Sequence, residues 1–98
     1  MNKETVKYNT EFAKIKRKVL ERDRWECKGQ FIDHFGTLTV DHIVRRSLGG
    51  KNTFDNLITL CVGCHSIYEM MPSRGKVHQL RARLAILYGY EWDDKYSQ

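Results

Sequence analysis

Apolar residues recur at helical spacing near the start of the chain: Phe12, Ile15, Val19 and Leu20 fall on one stripe, with Lys14, Lys16, Arg17 and Lys18 outside it. The pattern predicts a basic amphipathic helix with Asn9 or Thr10 as N-cap. It should end near Arg22 to Arg24, before a turn-rich stretch around Cys27, Lys28 and Gly29. Thr37 to Val40 alternates small polar and apolar β-formers, which predicts a short strand with Leu38 and Val40 facing a core and Asp41-His42 at its end. Gly49-Gly50 places a loop over Ser47 to Lys51. Leu57 to Leu60 reads as a second short strand that runs into a Cys61-x-x-Cys64 turn. From His65 onward, Ile67, Tyr68 and Met71 suggest a short helix ended by Pro72. A last helix carries Val77, Leu80, Leu84, Leu87 and Tyr88 on one side and stops at Gly89. No internal repeat and no separating linker is visible.

The chain of 98 residues is expected to form one small domain over residues 1–98. A domain of this size buries only about two-thirds of the surface its unfolded chain exposes, so it often needs a metal or a cross-link. A hydrophobic fraction of 41%, 30% charged residues and a single Pro exclude wholesale disorder and low complexity. No apolar run approaches the roughly 20 residues that span a bilayer, so the expected setting is intracellular, with no membrane partner. Three cysteines, two of them as Cys61-x-x-Cys64, cannot close a disulfide framework and favour metal or catalytic chemistry in a reducing compartment. Charge is uneven. Residues 1–28 hold nine basic and five acidic groups, residues 70–90 hold Arg74, Lys76, Arg81 and Arg83 with no acid, and the whole chain sums to +5. Basic flanks suit a polyanion, although solvated helix faces would give the same count.

Asp41, His42, Asn56 and His65 stand out between the flanks, on strand, loop and helix start. If the two strands pair and the helix packs back across them, Asp41 and His65 converge while His42 faces the opening beside them. A carboxylate and a neutral imidazole can share one divalent ion with open positions, and a nearby unligated imidazole can take a proton from water. That inventory suits phosphodiester hydrolysis. Mg²⁺, Mn²⁺, Ni²⁺, Co²⁺ and Zn²⁺ all remain open as the ion.

Val40-Asp41-His42-Ile43, Gly49-Gly50 with Asn52, Asn56-Leu57 and Leu60-Cys61-x-x-Cys64-His65 occur in that order. The arrangement resembles the HNH endonuclease family, with its D-H-I segment, its G-G loop followed by N, and its N-L-x-x-L-C-x-x-C-H run. Phe12 to Cys27 is also similar to the basic helix and Arg-Asp-x-x-x-Cys lead-in of small phage-type members. The resemblance implies an α+β fold, a ββα-metal core related to the treble clef over about residues 37–71, flanked by the N-terminal and C-terminal helices. It implies a metal-dependent DNA endonuclease in which Asp41 and His65 bind the catalytic ion and His42 is the general base. Asn56 would hold the hairpin loop, and products would carry a 5′-phosphate and a 3′-hydroxyl. Arg45, Arg46 and Lys51 lie where backbone phosphates should pass. A phage terminase or packaging partner is a family-level expectation.

One departure concerns zinc. Many members carry two Cys-x-x-Cys pairs around a structural zinc, whereas here the first reads Cys27-Lys28-Gly29-Gln30. Either no zinc binds, or water completes the site, or His34 joins Cys27, Cys61 and Cys64 through a longer knuckle, the arrangement we favour. The alternative is three buried thiols acting as small hydrophobes. Glu69, one turn beyond His65, is a candidate to orient that ring. His78, Trp25 and Trp92 read as structural or surface residues. The rival function is a zinc-ribbon or treble-clef module that binds nucleic acid without cutting. A thioredoxin-like redox role lacks the βαβ context.

Overall fold

The computed structural model describes residues 3–31 and 34–92, the first eight of these by backbone alone. Helix α1 spans Lys3–Arg22, strand β1 Leu38–His42, strand β2 Leu57–Cys61, helix α2 Val62–Glu69 and helix α3 Ser73–Tyr88. Short 3-10 turns at Arg46–Leu48 and Phe54–Asn56 punctuate the long connection between the strands. The strands pair antiparallel, with Leu38 opposite Cys61, Asp41 opposite Ile58 and His42 opposite Leu57. This α+β arrangement, with a strand pair feeding α2, is the ββα core expected from the sequence, flanked by one helix on either side.

Several boundaries differ from expectation. Helix α1 begins at Lys3, so Asn9 and Thr10 lie inside it and neither is its N-cap. The stretch before them contains no Gly or Pro, and Lys3, Glu4 and Lys7 are good helix formers, so nothing stops the helix there. The expected stripe is otherwise observed: Val19 is buried, Phe12, Ile15 and Leu20 are half-buried, and the four basic residues between them are exposed. Helix α2 begins at Val62, three residues before His65. The Cys61 sulfur caps it by accepting from the Cys64 N–H, so the Cys-x-x-Cys segment is the first helical turn. In α3, Val77, Leu80 and Leu84 are buried, but Leu87 is exposed near the C-terminus. Gly89 caps that helix in the left-handed region at φ 74°.

The strands are buried unequally. All five residues of β2 are buried, because α1 and α2 both pack on it. Leu38 only borders the core and Val40 is half-buried. The deep positions at the end of β1 are Asp41, Ile43 and Val44, so the most buried residue of this strand is an acid, while Leu38 packs against the core as expected. The core beneath them joins Ile58, Leu60, Tyr68, Val77, Leu80 and Leu84.

A buried polar knot fixes α1 to this core. Asp23, fully buried, accepts from Arg22 through Nε at 2.9 Å and Nη2 at 3.1 Å, from the Thr59 N–H at 2.9 Å and from the Tyr88 hydroxyl. Arg22 also donates to the carbonyls of Phe54 and Leu57, at 2.6 and 2.7 Å. Burial alone would raise the Asp23 pKa, but the bonds from Arg22, Tyr88 and Thr59 outweigh it and hold the carboxyl below its usual range. Asp23→Ala would leave a buried guanidinium and a strand N–H without their partner, at an expected cost of about 3–5 kcal/mol in chemical denaturation. Because the folded pKa is depressed, the stabilisation from Asp23 is complete above the unfolded value near pH 4 and is lost as the pH falls through the folded one.

Candidate functional site

Two clusters of ligand-type side chains lie at opposite ends of the Cys61-to-Glu69 segment. In the first, Cys27, His34, Cys61 and Cys64 each present a donor atom, all within 4.8 Å of one another. The turn after α1 carries Cys27 into place, with Arg24 and Trp25 both in the left-handed region at φ 57° and 55°. The Lys28 N–H then pairs with the Thr59 carbonyl at 2.9 Å. Gly29 lies against the cluster: a Cβ there would come within 2.9 Å of the Cys64 sulfur. On the other side, the Gly63 N–H meets the Phe35 carbonyl and the Val62 N–H the Thr37 carbonyl, which seats the segment holding His34 over the start of α2.

The separations suit zinc. His34 Nδ1 lies 3.6 Å from the Cys61 sulfur and 3.4 Å from the Cys64 sulfur. A tetrahedral zinc with ordinary Zn–S and Zn–N bonds requires a sulfur-to-nitrogen edge of about 3.6 Å. The electrostatics point the same way. Burial works against ionising Cys61, yet bonds from the Cys64 N–H, His34 and the Phe35 N–H bring its thiol down to about 6. Burial and then the neighbouring Cys27 and Cys61 sulfurs push the Cys64 thiol up to about 12. Three sulfurs this close ionise together only around a cation. The Cys27, His34, Cys61 and Cys64 set thus forms a candidate Cys₃His zinc site, with His34 where Gln30 could not serve.

The second cluster joins β1 to α2. Asp41 Oδ2 and His65 Nδ1 are 3.6 Å apart, and Glu69 offers a third oxygen within 4.8 Å. Both the Asp41 oxygen and the His65 nitrogen are buried without an aligned hydrogen bond, as expected of donors directed at an ion. A carboxylate oxygen with an imidazole nitrogen suits a divalent cation of the Mg²⁺ to Zn²⁺ range. A lysine reaches the same place: Lys76 Nζ, from the first turn of α3, stands 3.1 Å from Asp41 Oδ2 and 2.6 Å from Glu69 Oε1. Arg45 Nη2 meets the other Glu69 oxygen at 3.2 Å. The Lys76 hydrogen bond is the main reason the Glu69 carboxyl lies below its usual range. Glu69 therefore engages two cations, in addition to its place beside His65.

His42 follows Asp41 on the strand and projects to its other side. Its ring stacks on Phe12 of α1 with centroids 5.7 Å apart, and Nε2 lies 2.7 Å from Asn52 Oδ1. A carbonyl oxygen only accepts, so this contact favours the tautomer with the proton on Nε2, in which Nδ1 is the ring's acceptor. Asn56 is buried and spans the loop. Its Oδ1 accepts from the Val44 N–H at 2.8 Å, and its Nδ2 donates to the carbonyls of Val44 and Lys51, at 3.1 and 2.9 Å. Gly50 permits this closure, because a Cβ there would lie 1.7 Å from the Val44 carbonyl oxygen. Arg46 and Lys51 are exposed on the same loop, while Arg45 is half-buried against Glu69.

The HNH endonuclease family model matches residues 25–69. That interval contains both clusters, His42 and the loop pinned by Asn56. Residues 25–69 are thus similar to the HNH endonuclease family. Neither the curated proteins nor the solved structures compared with the chain gave a match. Helices α1 and α3 lie outside the matched segment yet contribute Phe12 and Lys76 to its surroundings.

The structure brings Asp41, His65 and Glu69 together and, separately, Cys27, His34, Cys61 and Cys64; Arg45 borders the first group, while Arg46 and Lys51 stay on the exposed loop. Sequence reasoning gave no role to Lys76, Phe12 or Asn52. Lys76 reads as one more base on a basic helix, and Phe12 as part of a core stripe. Asn52 carried the one available signal, its fixed place after the paired glycines. His78 is exposed, and Trp92 is tied to the Asp55 carbonyl at 2.9 Å, so neither adds to the site. Among the described residues, no helix is long and apolar enough to cross a membrane.

Proposed function

We propose that this protein is a metal-dependent DNA endonuclease that hydrolyses phosphodiester bonds at the Asp41–His65 centre. The observation that carries the reading is the convergence of a buried Asp41 oxygen and a buried His65 nitrogen, 3.6 Å apart with Glu69 beside them, next to a histidine that is hydrogen-bonded to Asn52. Asp41 and His65 would hold one divalent cation, which when bound supplies Lewis-acid polarisation of the phosphate and charge stabilisation at the leaving oxygen. His42 accepts the proton of the attacking water at Nδ1, while Nε2–H remains anchored on Asn52. Phe12 limits rotation of the ring. Asn56 acts at one remove, holding the loop that presents His42 and Asn52. Arg45, Arg46 and Lys51 give that loop positive charge with which to position the DNA backbone. The basic, exposed side of α1 extends the same field.

A zinc-stabilised module that binds nucleic acid without cutting would need the first cluster only, and would leave the second without a purpose. Nicking of supercoiled plasmid in the presence of Mg²⁺, Mn²⁺ or Ni²⁺ separates the two. We expect metal-dependent conversion to open circles, and a loss of at least a hundredfold in Asp41→Ala with the fold retained by circular dichroism. Retention of DNA binding with no cleavage under any of the three metals would favour the non-cutting module.

A further inference from the structure

Lys76 is 1% exposed, in the first turn of a helix whose opening turn contains no acid. An ammonium there is removed from water and placed at the positive end of the helix dipole, and both effects oppose it. What offsets them is Asp41 at 3.1 Å and Glu69 at 2.6 Å. Resting on the reading of Asp41 and His65 as a divalent-metal site, we propose that Lys76 is the resident counter-cation of that site. It pairs the two carboxylates before metal arrives and makes tight metal binding conditional on a bound phosphate.

Charge counting supports this. With Asp41 and Glu69 ionised and no lysine between them, the pair would already neutralise a dication. With Lys76 in place the three groups sum to one negative charge, and a dication is matched only when a phosphodiester supplies a second. Arg45, on the outer Glu69 oxygen and 41% exposed, is screened by solvent and free to exchange Glu69 for DNA. Burial prevents Lys76 from touching the substrate itself, so its effect passes through Asp41 and Glu69. By linkage, if phosphate strengthens metal binding, metal strengthens DNA binding by the same factor. Such a nuclease would assemble its centre on DNA rather than carry a loaded cation in solution.

The test is Mn²⁺ titration calorimetry in a His42→Ala background, which prevents cleavage, with and without a short DNA duplex. Lys76→Met should bind Mn²⁺ at least tenfold more tightly than the parent in the absence of DNA, and the enhancement by DNA should shrink to less than threefold. Its metal-free melting temperature should fall and recover on adding Mn²⁺, because Asp41 and Glu69 then face each other with no ammonium between them. Lys76→Gln, which keeps a hydrogen-bond donor without the charge, should show the same tightening if the methionine variant folds poorly. A Mn²⁺ affinity in both variants equal to or weaker than the parent's, with parental binding still abolished by Asp41→Asn, would overturn the counter-cation role and leave the metal site standing. Absence of Mn²⁺ binding in the parent and in both variants, with and without DNA, would remove the metal site and the proposal together.

Discussion

Stripping zinc from the cluster of Cys27, His34, Cys61 and Cys64 is expected to unfold the protein rather than merely loosen it. The apparent zinc-binding free energy of small Cys/His sites is about 10–16 kcal/mol at neutral pH. Net domain stability is about 5–15 kcal/mol, with small domains toward the lower end, so the ion's contribution exceeds the margin. The cluster ties the post-α1 turn, the His34 segment and the start of α2 into one unit. Without it, Cys64 is a buried thiol beside two others, and the described residues between Cys27 and Gly36 are held by the Thr59 carbonyl, Tyr68, Arg83 and the α2 backbone. Metal analysis should find one equivalent of zinc, and a chelator should abolish the cooperative thermal transition. Cys61→Ser and Cys64→Ser should behave like the chelated protein, with His34→Ala less severe because water can take the vacated position. Binding displaces protons from the thiols, so zinc affinity should fall steeply below about pH 6, where Cys61 itself becomes protonated. A chelated protein that melts as the untreated one does would return the three cysteines to the role of small hydrophobes.

His42→Ala should reduce cleavage by about 10²–10⁴, the usual contribution of a positioned general base, without loss of fold or of divalent-metal binding. The ring is half-buried, stacked on Phe12 and bonded to Asn52, so its removal opens little of the core. Asn52→Ala should cost less, about 10–100-fold, because it frees the tautomer and the ring orientation while keeping the base. Single-turnover rates with saturating Mn²⁺, together with Mn²⁺ affinity, check both. The order of effects is the diagnostic: a larger loss for Asn52→Ala than for His42→Ala would mean that Asn52, not His42, meets the reacting water.

Much of this architecture was legible before any coordinates. The stripe of Phe12, Ile15, Val19 and Leu20, the two short strands and the apolar side of α3 follow from periodicity, because burial on one face leaves a period in the sequence. Boundaries read less well where an unusual residue did a common job. Cys61 caps α2 with a sulfur, which ordinary capping preferences do not anticipate, and the helix therefore begins three residues earlier than its apolar pattern. Val40 was expected inside because it is apolar, yet the most buried position of β1 belongs to Asp41, whose partners lie on α2 and α3.

The order of the elements and the identity of the donor residues were set by the sequence alone, since residue type and spacing are local properties. The sequence also suggested which donors share a centre, and the tertiary structure brings them together. It placed His34 beside the three cysteines, the arrangement favoured among those the sequence left open, paired His42 with Asn52, and drew Lys76 from a helix beyond the matched segment into the space between Asp41 and Glu69. Those meetings depend on how helices pack against a strand pair, and a buried lysine looks no different in sequence from one in water until two carboxylates are found beside it.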